Sequence, residues 1–92
     1  MKPRSIEVAE IGDAEYRVRV IEGQSESAHR VTLKPEDYRR LSGGKATPEE
    51  LVQRSFEFLL EREPKESILA RFDLPVIARY FPEYESELAR RL

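Results

Sequence analysis

The chain contains no cysteine, which excludes disulfides, thiolate metal sites and a thiol nucleophile. No run approaches the ~20 apolar residues of a membrane span, and Met1-Lys2-Pro3-Arg4 leads into a charged segment rather than the apolar core of a signal peptide. The expected setting is therefore cytoplasmic, with no membrane partner. Neither sign of charge prevails: 37% of residues are charged but the net charge is −2, so no global field draws the protein to nucleic acid or anionic lipid, and any such binding must be local. Histidine occurs once and asparagine not at all, while arginine outnumbers lysine three to one. That bias reflects source composition or heat adaptation as readily as function. At 92 residues the chain is the length of one compact domain, expected to span 1–92 around a single core.

What is present first is alternation. Ile6 and Val8 alternate with Glu7 and Ala9, Tyr16, Val18 and Val20 with Arg17 and Arg19, and Val31 and Leu33 with Arg30 and Thr32, so three strands are expected at about 5–10, 15–22 and 28–33, each with one dry and one wet side. A two-residue Gly12-Asp13 turn would set Val8 opposite Arg17 and send the apolar residues to opposite faces. An odd-length turn containing Gly12 restores Val8 opposite Tyr16 or Val18. A looser connection through Glu22 to Ser27 is expected to lead into the third strand, completing an antiparallel meander.

Three strands with one dry face need a helical cover. Pro35 suits the first turn of a short helix through Leu41, which Gly43 and Gly44 terminate. The main helix, about 48–62, opens with Thr47 as cap, Pro48 in its first turn and Glu50 at the acid position of a capping box. Its apolar residues Leu51, Val52, Phe56, Phe58, Leu59 and Leu60 spread over roughly 200°, wider than the stripe of a surface helix. One side is expected on the sheet and the other against the C-terminal third, leaving Gln53, Arg54, Glu57 and Glu61 wet. Beyond Pro64 short helices are expected at about 65–71, 74–80 and 82–90, with Phe81 extended because a proline disfavours helical backbone in the residue before it. The fold class is α+β.

Two runs, RSFEFLLEREP at 54–64 and FDLPVIARYFPEYE at 72–85, resemble a family of short bacterial proteins without an assigned activity. The resemblance covers roughly residues 31–92. It implies a stable small fold and supplies no catalytic, cofactor or binding residues to carry over.

Reactive groups are few. His29 shares the dry side with Val31 near the start of its strand and reads as a structural residue rather than a base or ligand. Glu57, Glu61, Glu63 and Glu66 read as a solvated face rather than a hard-metal site, since Glu57 and Glu61 have basic neighbours at helical spacing and no second ligand cluster is visible. The serines lack a nucleophile-elbow context, and Gly43-Gly44-Lys45-Ala46-Thr47 lacks the spacing of a phosphate loop. No catalytic residue, metal or cofactor is therefore expected.

Two constellations carry functional hypotheses. On the wet sheet face Arg17, Arg19 and Arg30 lie on adjacent strands, able to present guanidinium groups to phosphates or an acidic partner, or to pair with Glu7 and other nearby acids. That face has no aromatics for base stacking. From Ser67 to Phe81, two short helices around Phe72-Asp73-Leu74-Pro75 loosely resemble a helix-turn-helix, with Arg71 and Arg79 as a thin phosphate footprint. The structural alternative packs Ile68, Leu69, Phe72, Ile77, Tyr80 and Phe81 on the back of the main helix. The resulting expectation is a non-enzymatic protein-binding module, with a homodimer as one form of partnership. The alternative is a nucleic-acid-binding or regulatory protein using Arg17, Arg19, Arg30, Arg71 and Arg79.

Overall fold

The computed structural model describes residues 4–92; Met1, Lys2 and Pro3, on which the reading of the chain start partly rests, lie outside them. The chain is α+β. Strands β1 (Arg4–Gly12), β2 (Glu15–Glu22) and β3 (Ser25–Thr32) form the antiparallel meander. Helices α1 (Pro35–Ser42) and α2 (Pro48–Leu60) follow, then a 3₁₀ turn at Lys65–Ser67. A further strand, β4 (Arg71–Asp73), then pairs parallel to β3. The sheet is thus four-stranded and mixed, in the order β1-β2-β3-β4, rather than a three-stranded meander. A 3₁₀ turn at Leu74–Val76 continues into α3 (Ile77–Tyr80), and α4 (Tyr84–Arg91) closes the chain.

The expected facing of Val8 and Val18 is present, reached by a different device. A two-residue turn, Asp13-Ala14, joins Gly12 to Glu15, and a register shift between Glu10 and Gly12 inserts one extra residue into β1. This bulge restores the parity that a two-residue turn alone would destroy. Its cost falls on Ala14, which sits at φ 56 in the left-handed region, disfavoured for a residue with a Cβ. The expected loose connection after Glu22 is instead a tight Gly23-Gln24 turn, with Glu22 facing Ser25 and Gly23 at φ 63. Glycine takes that backbone without strain, so β3 begins earlier than its apolar pattern indicates.

The helix signals hold. Gly43 adopts φ 58 and its N–H donates to the Arg39 carbonyl, ending α1. The Thr47 hydroxyl accepts from the Glu50 backbone N–H at 3.1 Å and donates to the Glu50 carboxylate at 3.1 Å, capping α2. α2 is covered on two sides, by the sheet and by α1 and α4. Leu51, Val52, Phe56 and Phe58 are fully buried with Val18, Val20 and Val31 in one continuous cluster. Gln53, Arg54 and Glu61 are exposed and Glu57 is half-buried. Ile6 and Val8 are only half-buried because β1 is an edge strand.

The largest departure lies at 65–71, where the expected helix is a single 3₁₀ turn leading into β4. Pairing decides this. The Arg30 N–H donates to the Ala70 carbonyl at 2.8 Å, and Val31 and Phe72 lie side by side facing the core. Phe81 is extended as expected, at φ −132 and ψ 90. Tyr84 then anchors α4: its side chain is fully buried, its hydroxyl 2.7 Å from that of Ser55, which donates in turn to the Leu51 carbonyl. Burial raises the Tyr84 phenol well above its ordinary pKa, so it stays protonated and can always donate. Arg62 to Glu83 at 3.0 Å and Arg91 to Glu61 at 2.6 Å tie the end of the chain back to that of α2.

Candidate binding surfaces

Alternation along β2, β3 and β4 sends Arg17, Arg19, Arg30 and Arg71 to the outer face of the sheet, the one without helices. Their surroundings differ. Arg19 donates to Glu7 at 2.8 Å and to both oxygens of Glu26 at 3.1 and 3.2 Å. The hydrogen bond and charge of Arg19 hold the Glu26 carboxyl below its ordinary pKa. Arg19 is therefore a bridge between β1 and β3.

Arg17, Arg30 and Arg71 form a row instead. Arg17 faces Arg30 across β2 and β3, and Arg30 faces Arg71 across β3 and β4. Among the described residues none of the three has a carboxylate within ion-pair distance. Of the sequence candidates, the structure thus gathers Arg17, Arg30 and Arg71, neutralises Arg19, and leaves Arg79 exposed on α3 in the helical layer. The helix-turn-helix reading fails because Arg71 and Phe72 are strand residues: pairing with β3 consumes the segment that was to form the first helix.

The second surface is a cleft of about 120 Å³ between the end of α2, the Lys65–Ser67 turn and α3, floored by Leu59, Ile68 and Phe72. Leu69 and Tyr80, 46% and 65% exposed, both line it; among the described residues they are the large apolar side chains left open to solvent. The expectation that both simply pack behind α2 is corrected here. β4 and α3 turn them outward while Ile68, Phe72 and Ile77 take the core positions. Glu63 stands on the wall with no ion-pair partner among the described residues, and burial raises its carboxyl pKa. Periodicity could not find this cleft, because it is assembled from segments too short to have a period.

His29 is buried, with Nε2 2.7 Å from the Ser27 hydroxyl and Nδ1 2.8 Å from the Leu69 carbonyl. The carbonyl can only accept, so Nδ1 carries a proton and donates to it, and in the neutral imidazole Nε2 then accepts from Ser27. The Nδ1 bond fastens β3 to the segment before β4, while the Nε2 contact with Ser27 lies within β3. The acidic candidates are dispersed: Glu57 pairs with Arg54 at 3.1 Å, Glu61 with Arg91, and Glu66 with Lys65. Among the described residues no group of three His, Asp or Glu side chains is placed to hold a metal ion, and no helix is long and apolar enough to cross a membrane.

The fold so defined is an α+β layer pair with a mixed four-stranded sheet. Comparison with family models, curated proteins and solved structures finds no match for the chain.

Proposed function

We propose that the chain is a non-enzymatic module that binds a protein partner through the cleft beside α3. One observation carries the reading: the two exposed large apolar side chains, Leu69 and Tyr80, lie on the same concave surface. An aromatic and an aliphatic anchor around a small pocket are the usual core of a protein interface. At about 120 Å³ the cleft is below the ~300–1,000 Å³ of small-molecule sites, and it suits a single inserted side chain. Glu63 sets the chemistry of the occupant. Its carboxylate, at an apolar wall and without an ion-pair partner among the described residues, is best satisfied by a cation, so the partner is a segment presenting an apolar side chain beside Lys or Arg.

Selection from a phage-displayed random-peptide library tests this directly. Enriched peptides should share an apolar residue next to a basic one. Tyr80→Ala should weaken their binding about 30-fold, the ~2 kcal/mol of an aromatic hot spot, and Glu63→Gln should weaken it less. Peptides without that pattern, or indifferent to Tyr80→Ala, would remove the reading. Sedimentation equilibrium supplies the other arm: a dimer that Tyr80→Ala dissociates would make a second copy the occupant.

A further inference from the structure

We infer that Arg17, Arg30 and Arg71 form a binding strip for the phosphate backbone of a single-stranded nucleic acid. The three residues occupy one row across three neighbouring strands, Arg17 facing Arg30 and Arg30 facing Arg71. At the ~4.8 Å spacing of strands the row is roughly 10 Å long. Like charges directly opposite one another destabilise a sheet, and the structure provides no carboxylate partner that offsets this within the described residues. Two residues along the same strand, Arg19 is bridged to Glu7 and Glu26. The sheet can therefore pair an outer-face arginine, which makes the bare row a distinct feature.

Surrounding charges decide the occupant. Glu15 and Asp73 share the outer face two positions along from Arg17 and Arg71, with Thr32 between them in the row. Glu7 and Glu26 lie on the other side, both held by Arg19. The positive field is thus a strip one row wide, bordered by acids. A duplex brings two backbones over a broad surface and would meet those acids, whereas one phosphodiester chain crossing the strands at a right angle meets the strip alone. A protein partner fits poorly, because the apolar residues of this face, Ala9, Ile11, Ile21 and Ala28, are small or scattered over three strands, and among the described residues it has no aromatic to form an interface core. The same lack of aromatics removes base stacking, so binding is through the backbone and indifferent to sequence. Arg71 and Phe72 point to opposite sides of β4, which separates the strip from the cleft and lets both be occupied.

Fluorescence anisotropy tests the strip with the full chain and a labelled single-stranded oligonucleotide of about twelve nucleotides. Three phosphate contacts give a slope of log K against log salt of about −2, so affinity should fall about 20-fold between about 50 and about 200 mM salt. Arg30→Gln should reduce the slope to about −1.4, and replacing all three arginines by glutamine should abolish salt-dependent binding. The denaturation midpoint of Arg30→Gln should rise slightly, since a mutual repulsion is removed, while loss of a merely structural arginine would lower it. Tyr80→Ala should leave oligonucleotide binding unchanged, which keeps this outcome separate from that of the cleft. No salt-dependent binding by the native chain, equal binding by the triple variant, tighter binding of the duplex, or binding of linear inorganic polyphosphate without the oligonucleotide would each overturn it.

Discussion

On its inner face the sheet buries Tyr16, Val18, Val20 and Val31 against α2, whereas on the outer face the same strands hold Arg17, Arg19 and Arg30 in or near water. The inner residues form one cluster in which each side chain supports several others, so damage at any point reaches the whole domain. The outer residues act in local sets. Arg19 stitches three strands together with two acids, whereas Arg17 and Arg30, one row away, have no ion-pair partner among the described residues. Two chemically identical side chains, two residues apart on β2, therefore differ in what they do: Arg19 belongs to the architecture, and Arg17 pairs with no acid among the described residues.

The contrast is broken most severely from within. Phe56, fully buried between the sheet and the C-terminal segments and 6.0 Å from the Phe72 ring, should cost about 3–5 kcal/mol on truncation to alanine, read from denaturant unfolding. A loss below about 1 kcal/mol would mean that α2 does not form the common wall of the core. A smaller effect of opposite sign is expected at the Asp13-Ala14 turn, next to the bulge that sets which side chains face inward. Ala14→Gly relieves the left-handed strain at φ 56 and should gain up to about 1 kcal/mol, after the larger entropy of the unfolded glycine is subtracted. Unchanged stability would show that the turn relaxes.

The outer face is sharpened by a matched pair of substitutions. Arg30→Gln should raise stability by a few tenths of a kcal/mol as repulsion from Arg17 and Arg71 is lifted, whereas Arg19→Gln should lower it, because Glu7 and Glu26 lose their common partner. Thermal melts of the two variants should therefore move in opposite directions, and movement in the same direction would erase the distinction between the rows. The smallest effect belongs to a charge on the helical side. Burial raises the Glu63 pKa, so the folded state favours the protonated acid. The stabilisation that follows is complete below the ordinary carboxylate pKa of ~4.3 and is lost as pH rises through the higher folded value. Glu63→Gln should accordingly stabilise the protein at neutral pH and make no difference near pH 4. A constant difference across that range would rule out titration as its cause.

Much of the first sixty residues was legible because each element there is long enough to carry its own period or cap. Val18 and Val31 share a face by alternation, and Thr47, Pro48 and Gly43 mark helix ends by local backbone chemistry. Strand β4 was not legible: three residues with a single apolar side chain have no period, and they extend only because β3 offers an unpaired edge. The candidate strip was half visible for the same reason. Arg17 and Arg30 could be placed on adjacent strands from sequence, but Arg71 joins them only through that parallel pairing, and the neutralisation of Arg19 depends on the register of Glu7 and Glu26.

By itself the sequence determined the α+β class, the dry and wet sides of the three N-terminal strands, and the caps that bound α1 and α2, all of which follow from interactions within a few residues. Tertiary structure alone decided the fourth strand, the bulge that sets the parity of β1, the outward turn of Leu69 and Tyr80, and which outer-face arginine is bridged to acids. Those features depend on contacts between segments distant in the chain, where the strength of any local preference is smaller than the free energy of burying Phe72 or satisfying a strand edge.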